Sequence, residues 1–154
     1  VEIDEIKTPV YLENKKKLFC IIYCMNLIKI LTAENENNIE IYNLLEKLFK
    51  LIESDNWLVE FLYLELNILK SVGYDINFRD YVVDKNINGQ IKYIVVSSQK
   101  IIPNFLIDKN ISPENLKDIY NGFSIVGDFL DKTIIKPNNK NYPSSRNDFL
   151  NLLK

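Results

Sequence analysis

General acid–base work near neutral pH falls most often to histidine, and this chain of 154 residues contains none. Phosphate-cradling loops need clustered glycines. The four present, Gly73, Gly89, Gly122 and Gly127, are scattered, and neither Gly122 nor Gly127 is followed by Lys-Ser or Lys-Thr. No Gly-x-Ser-x-Gly elbow occurs. Carboxylates pair along the chain at Asp128/Asp131 and Glu60/Glu65, spacings more typical of a solvated surface than of a hydrolytic pair. Glu65 stands apart because it is a charge within a strongly apolar run. It is either one half of a structural salt bridge or hydrogen bond, or a contact for a partner. Cys20 and Cys24 sit four apart in a helical pattern. That places their Cβ atoms about 5–6 Å apart, beyond the ~3.8 Å of a disulfide. Two thiols without histidine make a poor metal site. Buried, reduced cysteines are the expectation, and they suit a cytoplasmic protein.

One cluster of charge remains. From residue 132 onward Lys132, Lys136, Lys140, Arg146 and Lys154 face only Asp148, while the whole chain carries a net −2. Such a basic tail either touches phosphate or is ordinary solvated surface. Arg146 has a further reading as a structural salt bridge near the last helix. Tyr120, Phe123 and Phe129 could stack bases, but the helical spacing of Phe123 and Phe129 assigns them to a core.

The element that must position these groups is the run from Trp57 to Val72. Its apolar residues leave almost no polar face, so it reads as a buried central helix, closed by Gly73 in a left-handed cap. Upstream, an extended arm is expected over Val1 to Val10. A first helix follows from Asn14 to Ala33 with Lys15, Lys16 and Lys17 in its opening turn, then a polar loop at 34–38. A second helix spans Ile39 to Glu53. Ser54-Asp55-Asn56 supplies N-cap residues for the central helix. Downstream, Tyr81 to Ser97 reads as two strands around Asn88-Gly89, with a third ending at Ile101-Ile102-Pro103. Ser112-Pro113-Glu114 opens a short helix to Ile119, Gly122 to Ile135 forms another, and the capping-box spacing at Ser145 to Asp148 starts the last.

A domain of this length buries roughly 70% of its unfolded surface, enough for one real core. No stretch reaches the ~20 apolar residues of a membrane span. The start is acidic rather than that of a signal peptide, and the absence of an initial Met suggests a piece of something longer.

Two segments carry a family resemblance. Leu64-Glu65-Leu66-Asn67-Ile68-Leu69-Lys70-Ser71-Val72-Gly73-Tyr74 through Phe78 resembles the F-E-L-x-L-L-x-x-L-G-Y core of the RecO family of bacterial recombination mediators. Phe129-Leu130, Ile135-Lys136-Pro137 and Pro143-x-Ser145-Arg146-x-x-Phe149-Leu150 are similar to that family's closing pattern, in the same order. The resemblance implies a mainly α fold, a helical bundle with a small β-hairpin insertion at about 79–103, occupying residues 14–154. Residues 1–13 would then be a linker, or the end of a missing OB-fold. It also implies a non-enzymatic role in the RecF pathway: annealing strands, binding single-stranded DNA and single-stranded DNA-binding protein, and with RecR helping to load RecA.

Relatives carry a small zinc site after the Gly-Tyr pair. Here the first ligand position is Tyr81 and no Cys or His follows, so no metal or cofactor is expected. Relatives also grip the acidic, apolar-ended tail of the single-strand binder with basic residues just ahead of the core motif. Those positions are Leu62 and Tyr63 here, which moves the charge elsewhere, to Lys70 on the same helix as Leu66. Lys132, Lys136, Lys140 and Arg146 are the DNA-binding candidates. A helical adaptor that binds only protein is the alternative from another class, and a carboxylate-based hydrolase is remote. No membrane partner is implied.

Overall fold

The structure, a computed structural model, describes the backbone of residues 2–32 and 39–154, and side-chain surroundings from Glu13 onward except in the loop and at Glu40. The polar loop expected at 34–38 lies outside the described residues. Helix α1 spans Glu2–Leu31, α2 Ile39–Leu51 and α3 Trp57–Ser71. A 3-10 turn, Phe78–Tyr81, leads to strands β1 (Val82–Ile87), β2 (Gln90–Val95) and β3 (Ile101–Ile102). Helix α4 (Asn104–Ile107), α5 (Leu116–Leu130), a π-helical turn (Asp131–Ile135) and α6 (Ser144–Asn151) complete the order. The protein is thus mainly α with a small three-stranded antiparallel insertion. Among the described residues no helix is long and apolar enough to cross a membrane.

Helix α3 is the interior element its composition demands. Trp57, Phe61, Leu62, Leu64, Ile68 and Leu69 are buried, with α1, α2 and α5 packed around them. Its end is a Schellman motif. Gly73 adopts φ +101°, its N–H donates to the Lys70 carbonyl (3.0 Å), and the Tyr74 N–H donates to the Leu69 carbonyl (2.8 Å). The hairpin likewise follows its local chemistry. Asn88 (φ 53°) and Gly89 (φ 83°) form the two-residue loop between the paired Ile87 and Gln90, and both left-handed positions match the twist of the flanking strands. The sheet lies on the helices through Val82, Tyr93, Val95 and Ile102.

Several boundaries differ from expectation. The arm expected at the start is helical from Glu2, so Lys15, Lys16 and Lys17 fall inside α1. Asn56 is the N-cap of α3, but its side chain makes no cap hydrogen bond. The two helices expected either side of Tyr120 are one. Asn115, not Ser112, caps it by accepting from the Asp118 N–H (3.0 Å). Beyond α5 the Lys136 N–H reaches five residues back to the Asp131 carbonyl (2.9 Å), a widened turn in which both Ile134 and Ile135 are buried. The capping box expected at Ser145 does not form, because α6 starts at Ser144 with Pro143 at the N-cap and Ser145 falls inside the first turn. Its hydroxyl accepts from the Asn26 side chain (2.9 Å) and ties α6 to α1.

Candidate functional site

The longest-range polar contact in the core is made by Arg146. It is fully buried, as is Glu65, and the two form an ion pair through Nη1 and Oε2. Nη1 also donates to the Tyr23 hydroxyl (2.7 Å), and Nη2 donates to the Phe123 carbonyl. The guanidinium lies 5.2 Å from the Tyr23 ring and 5.7 Å from that of Phe123. Gly127 makes the room: a Cβ there would stand 2.9 Å from the Tyr142 hydroxyl and 3.0 Å from Arg146 Nε. Burial by itself lowers the Arg146 pKa, but the Glu65 carboxylate, then Tyr23 and Tyr142, outweigh it and hold the charge on. Burial raises the Tyr23 pKa well above its ordinary value, against the pull of Arg146.

This cluster corrects one expectation. Arg146 is not a phosphate contact, because its charge is spent inside the core on a carboxylate and a carbonyl. Glu65 takes its structural reading for the same reason. Cys20 and Cys24 are buried and unpaired beside this carboxylate. Burial, with Glu65 adding to it, pushes the Cys24 thiol up to about 12, and Cys20 moves in the same direction.

Of the other cations of the basic tail, Lys132 lies in the π-turn, Lys136 directly after it, Lys140 in the loop beyond, and Lys154 follows α6, 6.0 Å from the centre of the Tyr120 ring. Lys132 is exposed. Lys136 meets Asp131 at 3.1 Å, and the Lys140 amine donates to the Ile30 carbonyl at the C-terminal end of α1. A cation there complements the helix dipole. Of the base-stacking candidates, Phe123 is core, packed among Phe61 and Phe149 at centroid distances of 5.9 and 5.6 Å.

The expected partner residues divide. Leu62 is fully buried under Gly122 of α5 and is unavailable to a partner, a second correction. Tyr63, Leu66 and Lys70, on the outward face of α3, line a cleft of about 170 Å³. Its opposite wall brings Ile76, Arg79, Ile107 and Lys109 to them. The Tyr63 hydroxyl donates to the Phe105 carbonyl (3.1 Å), which fixes the ring, and the Lys109 ammonium stands 5.2 Å from that ring's centre. The cleft thus brings three cations, Lys70, Arg79 and Lys109, together with the aliphatic side chains of Leu66, Ile76, Leu106 and Ile107 in a lining that is otherwise largely polar. Asp75 lies 3.9 Å from Lys70, an exposed pair of small energetic weight.

Tyr63 and Lys109 also line a larger recess of about 490 Å³ at the start of α3, whose rim carries Glu13, Asp55 and Glu60. The charge of the lining residues therefore changes sign along α3. Arg79 and Lys109 carry no sequence signal that links them to α3. Both lie in connecting segments, and only tertiary packing brings them to Lys70.

A family model described as the C-terminal region of recombination protein O matches residues 12–116. Among curated proteins, a DNA repair protein RecO of Ehrlichia chaffeensis is 26% identical over 120 residues, covering 73% of this chain and 49% of the relative. The chain thus spans about half the length of the curated relative it matches. No solved structure gives a significant match. The glutamate-bearing helix that ends in Gly-Tyr, the three-stranded insertion behind it and the matched span together place this chain in the family of the recombination protein O C-terminal domain.

Proposed function

We propose that this chain is the helical part of a DNA-repair and recombination mediator that binds without catalysing. The cleft at Tyr63, Leu66 and Lys70 would take the acidic, apolar-ended tail of single-stranded DNA-binding protein. The surface at Lys132, Lys136 and Lys140 would take single-stranded DNA. Strand annealing, and RecA loading with RecR, would follow from holding these together. One observation carries the reading: three cations converge with aliphatic side chains on one cleft, in a chain whose relative is named a DNA repair protein. An extended carboxylate-rich segment would set its acids against Lys70, Arg79 and Lys109 and its apolar end against Leu66, Ile76 and Ile107. Electrostatic complementarity of this kind chiefly selects the partner and speeds encounter.

The test is titration of a fluorescent acidic, apolar-ended peptide into the chain, and of labelled oligothymidylate at two salt concentrations. Peptide binding should weaken in Lys70→Glu/Lys109→Glu, and DNA binding in Lys132→Ala/Lys136→Ala. Peptide binding that ignores the α3 cations would refute the cleft.

An adaptor that binds only protein is favoured by one specific finding. Lys136 already meets Asp131, Lys140 already meets a backbone carbonyl, and Arg146 is buried. Absence of oligothymidylate binding at low salt, with peptide binding intact, would select that reading.

A further inference from the structure

An antiparallel sheet with one face on a core usually presents a polar opposite face. This one does not. The pairs Val82↔Val95 and Tyr93↔Ile102 place four residues on the helices. Alternation and register then put Val83, Ile94 and Ile101 in one row across the outward face, through Val83↔Ile94 and Ile94↔Ile101. Ile94 is buried apart from the main core, while Val83 and Ile101 are 52% and 51% exposed. Two register steps toward the hairpin tip, Lys85 and Lys92 stand directly opposite each other on the same face. Like charges at opposed positions repel. No carboxylate of β1, β2 or β3 shares that face, since Asp84 projects to the other. Glu114 and Asp118 line a depression beside Lys92 at the β3 edge, but neither makes an ion pair with it among the described residues.

We propose that this outward face docks a partner protein whose contact segment is aliphatic, with acidic residues at one end. The aliphatic row would be covered by the partner's apolar residues, and the opposed lysines would be neutralised by its carboxylates. Single-stranded nucleic acid fits less well, because it binds by stacking on aromatic rings, whereas this row is aliphatic and the strands' one tyrosine, Tyr93, packs on the core. A second copy joined edge to edge through β1 fits poorly too. Face-preserving self-pairing centred on the strand sets Asp84 against Asp84 or Lys85 against Lys85. The surface is separate from the α3 cleft, since none of its five residues lines that cleft.

The experiment uses the whole 154-residue chain and three fluorescent probes: a peptide of valine and isoleucine followed by glutamates, the same peptide with lysines for glutamates, and oligothymidylate. Anisotropy reports affinity, and backbone amide shifts report the place. The acidic peptide should bind and shift the amides of β1 to β3. Lys85→Glu/Lys92→Glu should weaken it about tenfold or more, and Val83→Ser/Ile101→Ser should do likewise. Val83, Ile101 and Lys85 are exposed and Lys92 is half-buried, so unchanged circular dichroism serves as the folding control for both variants. The α3 cleft is also cationic, so the amide shifts of β1 to β3, rather than total anisotropy, decide the site, and those shifts should persist in Lys70→Glu/Lys109→Glu. Four results would overturn the proposal: no binding of the acidic peptide, equal binding of the lysine peptide, indifference to the sheet variants, or shifts at this face with oligothymidylate alone.

Discussion

Arg146 and Glu65 are charges buried away from bulk solvent, and their net contribution depends on what is removed. Taking one partner away leaves the other buried and uncompensated, which typically costs about 3–5 kcal/mol. Arg146→Met should therefore destabilise by about that much, whereas Glu65→Leu/Arg146→Met should cost much less than the two single changes combined. Urea denaturation of the four proteins checks this. Equal additive losses would mean that the pair is not coupled. Gly127→Ala should also destabilise, because its methyl would press on the Arg146 guanidinium and the Tyr142 hydroxyl.

The thiols make a second residue-scale prediction. Cys24 holds its proton up to about 12 in the folded chain, against 9.0 for an ordinary thiol. Below pH 9 both states are protonated and nothing changes. Above it the unfolded chain sheds the proton first and binds fewer protons than the folded one. Stability should then fall with rising pH, by about 1.4 kcal/mol per unit for this group. Denaturation midpoints between pH 8 and 11 check the slope, and Cys24→Ala should make it shallower by this thiol's share, leaving that of Cys20.

At the scale of elements, locally encoded features were legible in the sequence and those set by tertiary contacts were not. The apolar circumference of α3, the glycine at its end and the Asn88-Gly89 loop are decided within a few residues, and each stands where its pattern placed it. Gly73→Ala should cost about 1 kcal/mol, since alanine is strained in the left-handed region. Leu62→Ala, in the tight contact between α3 and α5, should cost about 2–5 kcal/mol. Thermal melts of both variants would measure these losses, and a larger loss for Gly73→Ala would invert the ranking. What escaped the sequence depended on distance. Ser145 looked like a cap, but the helix starts one residue earlier and the serine hydroxyl accepts from Asn26, 119 residues away. Arg146 read equally as a DNA contact or a structural ion pair, and its partner could not be named because Glu65 lies 81 residues away along the chain. The cations that complete the α3 cleft, Arg79 and Lys109, sit in connecting segments with no periodicity to read. The extended arm expected at the start gave way to a helix running from Glu2.

Over the whole molecule, net charge is a poor guide to binding, because −2 conceals separated surfaces of opposite sign. The basic surface at Lys132, Lys136 and Lys140, the cationic cleft along α3 and the opposed lysines of the hairpin are held apart on one core. DNA binding at the first surface should weaken as salt rises, and losing Lys132 and Lys136 should reduce the logarithmic salt slope by about 1 per phosphate contact removed. Oligothymidylate titrations of the parent and the double alanine variant would read that slope.

The central claim is that α3 and its neighbours hold a cationic cleft with aliphatic side chains for an acidic protein tail. Its sharpest test is one titration: the acidic, apolar-ended peptide against the parent chain and against Lys70→Glu/Lys109→Glu. Saturable binding with amide shifts at Tyr63, Leu66 and Lys70, lost on charge reversal, is the predicted result. Binding of equal strength to both proteins, or none to either, would contradict it.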